Sequence, residues 1–384
     1  MASAQIERPA APAPGTLSVV HIASGDLWAG AEVQLFTLAR AQRQRLGLSV
    51  RVVLLNGGRL ARELAACGIP VTVLDESRLG PARILWRLAA LLRQHRPDIV
   101  HTHRLKENVL GSLATLAVLG TPSLRTVHGA PEHPPARRQI GKRSLLALDR
   151  LCGRLLQRRI VAVSAELRQR LAQDFPLEKI AVIENGIEPP APRQAARTVR
   201  APTPEEPLHV VFAGRLTAVK RVDLVIATAN RLAEQYPDLP VRFSIFGDGP
   251  LRDRLEAMNR EQQQVSFMGH CDDMEHALEA ADILLLPSDH EGLPMILLEA
   301  MRAGVAIVTH AVGGIPALLD DGSCGVLIET QSEAAYAGAI HRLAVQPTER
   351  ERLIGRARER VRSRYSAETN ARAYLELYRD LANR

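Results

Sequence analysis

Two series of short apolar strands that alternate with helices constrain the fold of this chain. The first series begins with the apolar run Leu17–Ile22, and the second begins with Leu208–Ala213. Strands that alternate with helical segments predict a parallel sheet with helices on both faces. Six prolines within residues 188–207 interrupt the alternation and indicate a linker. The sequence therefore predicts an α/β fold with two doubly wound domains, whose ligand crevice lies at the carboxyl ends of the strands.

The domain boundaries follow from these changes in composition. A chain of 384 residues exceeds one typical core and indicates two domains of roughly 150–200 residues. We expect five segments: a disordered tail at 1–16, a Rossmann-like N-terminal domain at 17–187, a Pro-rich linker at 188–207, a Rossmann-like C-terminal domain at 208–365, and a C-terminal helix at 366–384.

Composition narrows the class of protein. Only 3% of the residues are aromatic, which disfavours a base-stacking nucleic-acid surface. The four cysteines form no CxxC pair and no Cys/His cluster with zinc spacing, so we expect reduced thiols and a cytoplasmic protein. Residues 1–16 lack the apolar segment of a signal peptide, and no run approaches the ~20 apolar residues of a membrane span.

The net charge of +7 is concentrated in one segment. Residues 137–159 hold eight Arg and Lys against one Asp, which sums to +7, and the remainder of the chain is close to neutral. Leucines at helical spacing predict an amphipathic helix with an arginine-rich face. The alternatives are a solvated face, an anionic membrane surface at the inner face of the membrane, and nucleic acid, which the lack of aromatic residues disfavours. The candidates for membrane association are Arg137, Arg138, Lys142, Arg143, Arg154, Arg158 and Arg159.

Two carboxylates flank the start of a predicted helix in the second domain. The apolar run Ile283–Leu286 predicts a buried strand, and Pro294 suits the first position of the helix that follows. Glu291 precedes this helix, Glu299 lies about two turns inside it, and Gly304 suits its left-handed cap. The free amides of a helix N-terminus suit a phosphate. A ligand that carries both hydroxyls and phosphates would fit this arrangement.

Basic and glycine-containing turns follow other strands of the second domain. Arg215 and Lys220 lie on the connection after the strand that ends at Ala213, where two cations suit a pyrophosphate. A solvated basic turn is the alternative. Gly247 and Gly249 lack the full GxGxxG pattern, so a tight turn explains them better than a ligand-binding loop.

Three histidines, His101, His103 and His128, end predicted strands of the first domain. A lone histidine is usually structural, whereas three at one edge of a sheet suggest a site. Metal binding would usually require a carboxylate or a fourth ligand there, so we expect no metal site.

Taken in order, these motifs resemble glycosyltransferase family 4, a group of retaining sugar-nucleotide transferases with the GT-B fold. The resemblance covers residues 17–380, and the spacing of Glu291 and Glu299 is specific in combination with the basic pair. The sequence departs from the family pattern at Ala29, Val33, Arg221 and Ala317. These departures bear on the expected acceptor contacts and loop geometry. The matching segments are Trp28–Glu32, His128–Gly129, Ser164, Asn185–Ile187, Gly214–Leu216 with Lys220, Gly247–Pro250, Ala281–Ser288, Glu291–Pro294, Glu299–Ala300 and Gly313–Pro316.

The resemblance implies a donor site in the second domain. Glu291 would accept hydrogen bonds from the transferred sugar, and Glu299 would hold the ribose diol of the nucleotide. By the same resemblance Gly247 and Gly249 would belong to the donor-binding residues. Arg215 and Lys220 would hold the pyrophosphate, with added amides near Gly292–Leu293. These groups would stabilise the charge that develops on the leaving pyrophosphate. They would replace the metal ion of other transferases, so we expect neither a metal nor any other cofactor.

The resemblance also implies roles for the first domain. Gly30 would approach the phosphates, and His128 would approach the sugar and the reaction centre. The C-terminal helix, at residues 367–381, would cross back to the first domain. The two domains would face each other across a crevice.

The implied function is metal-independent, retaining transfer of a hexose from a UDP- or GDP-linked sugar to a glycan or lipid-linked acceptor. The expected setting is cell-surface polysaccharide biosynthesis in the cytoplasm, peripheral at the inner face of the membrane, with no nucleic-acid partner. Two alternatives use the same residues. One is a same-fold sugar-nucleotide epimerase or phosphorylase, and the other is a non-catalytic nucleotide-sugar-binding scaffold.

Overall fold

The computed structural model describes residues 16–26, 28–129, 140–190, 199–260 and 264–383. Most of the predicted tail, Arg137, Arg138 and part of the Pro-rich linker lie outside the described residues, as does the side chain of Lys142.

The first series of strands forms a parallel sheet. Its strands are β1 Ser18–Ala23, β2 Ser49–Leu54, β3 Val71–Val73, β4 Ile99–Thr102, β5 Ser123–Val127, β6 Arg159–Ala162 and β7 Ile180–Val182. The helices between them are α1 Gly30–Gln44, α2 Arg59–Ala66, α3 Pro81–His95, α4 Leu105–Thr115, α5 Ile140–Leu155 and α6 Ala165–Leu171. Within the described residues the strand order is β3-β2-β1-β4-β5-β6-β7. The order reverses between β1 and β4, as in a doubly wound sheet.

The second series forms another parallel sheet. Its strands are β8 Leu208–Ala213, β9 Val241–Phe246, β10 Val265–Gly269, β11 Ile283–Leu286, β12 Ala306–His310 and β13 Val326–Ile328. The helices are α7 Val222–Gln235, α8 Arg252–Asn259, α9 Met274–Glu279, α10 Met295–Ala303, α11 Ile315–Leu318, α12 Glu333–Val345, α13 Pro347–Ser363 and α14 Ala367–Ala382. In the described part of the chain these strands run in the order β10-β9-β8-β11-β12-β13.

The prediction of two parallel-sheet α/β domains is confirmed. All residues of β8 and β11 are buried, because helices cover both faces of a parallel sheet and its central strands become continuous apolar runs. Strand order reverses between β8 and β11, which pair directly in parallel. The loops after these two strands therefore start next to each other, at the position where doubly wound sheets bind ligands.

The chain divides into two compact units that do not follow the sheet boundaries residue by residue. Unit 1 comprises residues 1–126, 137–160 and 371–384, and unit 2 comprises residues 127–136 and 161–370. The C-terminal residues 371–384 thus belong to the same unit as strands β1 to β5.

The basic helix is shorter than the sequence predicted. The described helix α5 ends at Leu155, and Arg159 is the first residue of β6. Arg159 also forms an ion pair with Asp380, with 3.4 Å between Nη2 and Oδ2. The prediction that the helix extends to Arg159 was wrong, because the apolar residues 160–163 are buried and continue the sheet.

Helix α14 is held in unit 1 by buried tyrosines. Tyr374 and Tyr378 are almost fully buried, and the Tyr378 hydroxyl lies 2.7 Å from Nδ1 of His101. The amide nitrogen of Gln42 donates to the same hydroxyl at 3.1 Å. The Tyr374 hydroxyl lies 2.7 Å from the hydroxyl of Thr126. These bonds satisfy polar atoms that burial would otherwise leave without water.

We expect Tyr378→Phe to destabilise unit 1 by about 1–3 kcal/mol, because it leaves the buried groups of His101 and Gln42 without their partner. The measurement is the thermal unfolding midpoint together with hydrogen exchange of the α14 amides. Tyr236→Phe, at a ring that stacks on His341 in unit 2, makes the same chemical change elsewhere and should leave α14 exchange unchanged. Unaltered exchange in Tyr378→Phe would contradict this account.

Candidate functional site in the second sheet

The loop that carries Glu291 connects β11 to α10. The sequence predicted Pro294 at the first position of the helix. In the structure Pro294 is the N-cap of α10, and the helix begins one residue later, at Met295. Gly304 ends the helix in the left-handed conformation, with φ of 81°, as expected. Glu291 is 9% exposed and Leu293 is buried, so the loop is packed rather than solvated.

Two glycines let another turn approach this loop. Gly313 has φ of 62°, and a Cβ built on it would lie 1.8 Å from the carbonyl oxygen of Glu291. A Cβ on Gly314 would lie 2.5 Å from the carbonyl oxygen of Gly292, to which the Gly314 amide donates at 2.9 Å. Only residues without a side chain allow such contact between two backbones. The turn after β12 therefore packs directly against the backbone of the Glu291 loop.

Polar residues from 161–190 support the same loop within unit 2. The side-chain amide of Asn185 donates to the carbonyl oxygen of Leu293 at 2.9 Å, and Asn185 is buried. Ser164 caps α6 by accepting from the amide of Leu167. A Cβ on Gly314 would lie 2.9 Å from the Cβ of Ser164. The sequence marks Asn185 and Ser164 only as motif residues, because their spacing reveals no partner more than a hundred positions away.

Lys220 and Glu291 form the central contact of the site. The ammonium group of Lys220 donates to Oε1 of Glu291 at 2.6 Å. Lys220 ends a short 3-10 helix after β8, whereas Glu291 follows β11, the neighbouring strand. Because the Glu291 carboxylate is nearly buried, the pairing offsets its loss of hydration. Arg215, on the turn before Lys220, is exposed. The structure thus brings both predicted cations and the first predicted carboxylate to adjacent strand ends.

Gly247 and Gly249 hold the turn that carries Arg215. Gly247 has φ of 131°, and a Cβ on it would lie 2.0 Å from the carbonyl oxygen of Gly214. A Cβ on Gly249 would lie 2.6 Å from the carbonyl oxygen of Leu216. The amide of Leu216 donates to the carbonyl oxygen of Asp248 at 3.0 Å. Packing of the two turns accounts for both glycines, and their contact with a ligand stays a prediction.

Arg221 stands where the family often has glycine, and the structure accounts for this departure. Its backbone is left-handed, with φ of 49°, a conformation that disfavours most side chains. Its guanidinium pairs with Asp223 at 3.0 Å and with Asp289 at 3.2 Å. The backbone amide of Asp289 also donates to the carbonyl oxygen of Val219. These contacts fasten the Lys220 segment to the start of the Glu291 loop.

Glu299 lies in α10 in an environment unfavourable to charge. Burial raises the pKa of its carboxyl to about 7. Arg302 lowers this pKa and Glu275 raises it further, and these two residues also pair with each other at 2.9 Å. Near neutral pH a substantial fraction of Glu299 is therefore protonated in the free protein.

The residues predicted from the first domain lie in different parts of the fold. Gly30 is the first residue of α1 and belongs to unit 1. His128 follows β5 and belongs to unit 2, where a Cβ on Gly292 would lie 2.7 Å from its carbonyl oxygen. His128 thus contacts the backbone of the Glu291 loop, while its predicted approach to the sugar stays a prediction.

The three histidines that the sequence grouped do not form one cluster. His101 and His103 instead meet His21 from β1, and all three are buried. Nδ1 of His21 lies 3.0 Å from Nε2 of His103, and Nε2 of His21 lies 2.8 Å from the side-chain oxygen of Gln42. Burial lowers the pKa of His21 to about 4. Their ligand atoms lie within 4.8 Å of one another, a spacing that could hold a metal ion, although hydrogen bonds already account for both nitrogens of His21.

We expect Gly313→Ala to destabilise unit 2 by more than about 2 kcal/mol, because the left-handed conformation alone costs ~1–2 kcal/mol and the contact with Glu291 must also relax. Gly338→Ala in α12 is the matched control, since a Cβ there meets nothing within 4 Å. That change should be neutral or stabilising. Thermal unfolding of both variants tests the difference, and equal midpoints would contradict the role assigned to Gly313.

Two protein-family models match the chain. The model described as Glycosyltransferase Family 4 matches residues 28–190, and the model described as Glycosyl transferases group 1 matches residues 207–346. Together they cover every strand of the two sheets except β1, and the loops described above.

Curated relatives match this sequence at moderate identity. The D-inositol 3-phosphate glycosyltransferase of Geodermatophilus obscurus is 30% identical over 327 residues, which cover 75% of this chain and 69% of that protein. The enzyme of the same name from Streptomyces avermitilis is 28% identical over 319 residues, 74% of this chain and 66% of that protein. A glycogen synthase of Mycobacterium tuberculosis is 28% identical over 295 residues, 74% of this chain and 69% of that protein. The chain thus spans about two thirds of the length of these relatives.

Solved structures share the fold. Anabaena HepE in complex with UDP-glucose superposes with a TM-score of 0.78 at 19% identity, covering 94% of this chain and all of that chain. Sucrose-phosphate synthase from Thermosynechococcus elongatus gives a TM-score of 0.73 at 19% identity, covering 95% and 99%. The two parallel sheets, the matched models and the relatives agree. The chain belongs to glycosyltransferase family 4 and has the GT-B fold.

Proposed function

We propose that this protein is a retaining glycosyltransferase that moves a sugar from a nucleotide-sugar donor to a glycan or lipid-linked acceptor. The observation that carries the proposal is the pairing of Lys220 with Glu291 at the carboxyl ends of two adjacent strands, with Arg215 exposed on the neighbouring turn. The glycosyltransferase activity of the curated relatives supports the transfer reaction, and the UDP and UDP-glucose bound in similar structures support a nucleotide-sugar donor.

The proposed roles at the donor follow from charge. Breaking the bond between sugar and phosphate leaves negative charge on the pyrophosphate. Arg215, Lys220 and the amides of Gly292–Leu293 would stabilise that charge, each donor by about 2–4 kcal/mol in the transition state. These groups perform the task that a divalent cation performs elsewhere, so the reaction is proposed to need no metal.

The pair of Lys220 and Glu291 has a further consequence for the donor complex. In the free protein each side chain holds the other in position, which limits their conformational freedom before the ligand arrives. When the donor binds, Lys220 gains a phosphate as a second partner. Glu291 keeps acceptor capacity on its other oxygen for a sugar hydroxyl. Glu299, as a carboxylate, would accept both hydroxyls of the ribose.

The proposal also covers the acceptor and the cellular setting. We assign the reaction to cell-surface polysaccharide biosynthesis in the cytoplasm, at the inner face of the membrane. Among the described residues, no helix is long and apolar enough to cross a bilayer. The support for a membrane surface is therefore the basic helix α5, which presents Arg143 and Arg154 to solvent.

Donor affinity should fall as the pH decreases below about 7. The ribose diol requires an ionised Glu299, and protonation of the free protein competes with binding. Because burial raises the pKa of this carboxyl to about 7, the loss should approach tenfold per pH unit below that value. Calorimetric titration with the cognate nucleotide from about pH 8.5 to about pH 5.5 measures the slope.

The control variants separate this effect from other titrations. Glu299→Gln should bind weakly at every pH with no inflection near pH 7. Glu275→Gln removes a charge that raises the Glu299 pKa, so its inflection should move to lower pH. A wild-type affinity that is flat across the range would overturn the role of Glu299.

A thermal-shift panel with UDP, GDP, ADP and their common sugars, in EDTA, tests the proposal as a whole. A ligand at ~100 times its dissociation constant adds about 2.7 kcal/mol of stability. One nucleotide series should stabilise the wild type, and Arg215→Ala and Glu299→Ala should lose most of that shift. Arg352→Ala, exposed on α13, is the control and should keep it.

Turnover distinguishes the remaining alternatives. NMR of the product with an acceptor should show the anomeric configuration of the donor. An isomerised nucleotide sugar without acceptor would indicate an epimerase, and binding without turnover would indicate a scaffold. No shift with any nucleotide, or a shift that requires added metal, would overturn the proposed site or its metal independence.

A further inference from the structure

Unit 1 carries a second basic helix that the overall charge conceals. Helix α3 and the residue after it hold Arg83, Arg87, Arg93 and Arg96 and no acidic residue. The sequence sum outside residues 137–159 is close to zero because acidic residues elsewhere in the chain balance these arginines. The balance is arithmetic only, since it says nothing about which charges share a surface.

The exposed face of α3 combines these arginines with a tryptophan. Ile84, Leu88 and Leu92 point into the core cluster of unit 1, which leaves the opposite face outside. That outer face carries Arg83 and, three, four and ten residues after it, Trp86, Arg87 and Arg93. Trp86 is 68% exposed. A tryptophan and arginines on one exposed helix face form a surface suited to an interaction only where further apolar residues extend it.

Helix α5 repeats the pattern with leucines. Leu148, Leu151 and Leu155 are exposed at 38%, 52% and 70% and lie three and seven residues apart, on one face of the helix. Exposed arginines at 143, 150 and 154 flank them. The acid of this segment, Asp149, is buried and bound by the guanidinium of Arg125 at 2.7 Å. Its charge is therefore neutralised inside unit 1 and does not offset the outer face.

The helix between them completes a single layer. Helix α4 packs against both α3 and α5. Beyond Lys106, the residues of α4 and its C-terminal extension that are not buried are apolar. Leu110 and Leu113 are half-buried, and Leu116 is 55% exposed. The outer side of this layer thus has an apolar strip in the middle, an arginine-rich helix on each side, and Trp86 and Leu155 projecting from it. We refer to it as the α3–α5 face.

We propose that the α3–α5 face docks on an anionic lipid surface, with Trp86 and the leucines of α5 in the interface and the arginines of both helices on the lipid phosphates. This deepens the proposed function, because it assigns the membrane contact to a whole layer of unit 1. A bilayer interface accepts tryptophan, leucine and arginine side chains together. Nucleic acid would satisfy the arginines but leave the exposed leucines in water, so the lipid surface is the occupant that uses every part of the face.

Vesicle flotation without any sugar donor tests the proposal on the full chain. Wild-type protein should float with vesicles that contain phosphatidylglycerol, remain behind with pure phosphatidylcholine, and be released by salt. The triple change Arg83→Gln, Arg87→Gln and Arg93→Gln should weaken binding about fivefold per residue, or roughly 100-fold in total. These residues are exposed, so the variant should fold and keep its nucleotide thermal shift.

A triple variant on α13 provides the matched control. Arg352→Gln, Arg356→Gln and Arg362→Gln remove the same charge from exposed positions of unit 2. This protein should float like the wild type. Equal loss in both triple variants would show that net charge, rather than the α3–α5 face, determines binding, and would overturn the proposal. Absence of vesicle binding, equal binding to neutral vesicles, or binding to RNA in place of vesicles would also overturn it.

Trp86 itself reports whether α3 reaches the lipid. The chain has two tryptophans, so Trp28→Phe leaves Trp86 as the single fluorophore. Its emission should shift to the blue on addition of anionic vesicles, and Trp86→Ala should lower vesicle affinity by about tenfold. Unshifted emission from protein that floats would overturn the assignment of α3. These readouts do not involve the donor site, so failure of the donor assignment leaves them intact, and their failure leaves the nucleotide shift intact.

Discussion

Close contact between backbones at the carboxyl ends of β8, β11 and β12 is the constraint on which the site depends. Gly313 and Gly314 touch the carbonyls of the Glu291 loop, and Gly247 touches the turn that carries Arg215. Each contact requires a residue without a side chain at a strand end, where the chain must also reverse direction. The charged groups of the site are attached to loops whose backbones these glycine contacts hold together.

Ion pairs add to these backbone contacts. Lys220 pairs with Glu291 at the carboxyl ends of two adjacent strands, and Arg221 connects the same segments by pairing with Asp223 and Asp289. Two carboxylates therefore have opposite environments within nine residues of chain. Glu291 has a cation at hydrogen-bond distance, whereas burial raises the pKa of Glu299 to about 7. A site with one carboxylate paired to a lysine and a second carboxylate whose pKa is raised by burial can hold a polar ligand and respond to pH at the same time.

Unit 1 combines an arginine-rich outer face, the α3–α5 face, with a buried network of neutral donors and acceptors. His21 and His101 hydrogen-bond to Gln42, Thr126 and Tyr378, and low local polarity keeps His21 uncharged. Such a network is stable because its buried donors and acceptors are hydrogen-bonded to one another and to the tyrosines of α14. Unit 1 therefore presents one strongly cationic surface, while the buried acids Glu32 and Asp149 are paired with arginines.

The sequence alone determined the fold class and the family, and it predicted the donor-side residues. Alternating periodicity specifies parallel sheets, and glycines and carboxylates recur at spacings that local geometry dictates. The end of α5, the partners of His101 and the roles of Asn185 and Ser164 could not be predicted in this way. Each depends on residues far apart in the chain, such as Asn185 with Leu293 and His101 with Tyr378. The charge of α3 was visible in the sequence, but only the tertiary structure decided that it shares a layer with α5, because packing determines which helix faces lie side by side.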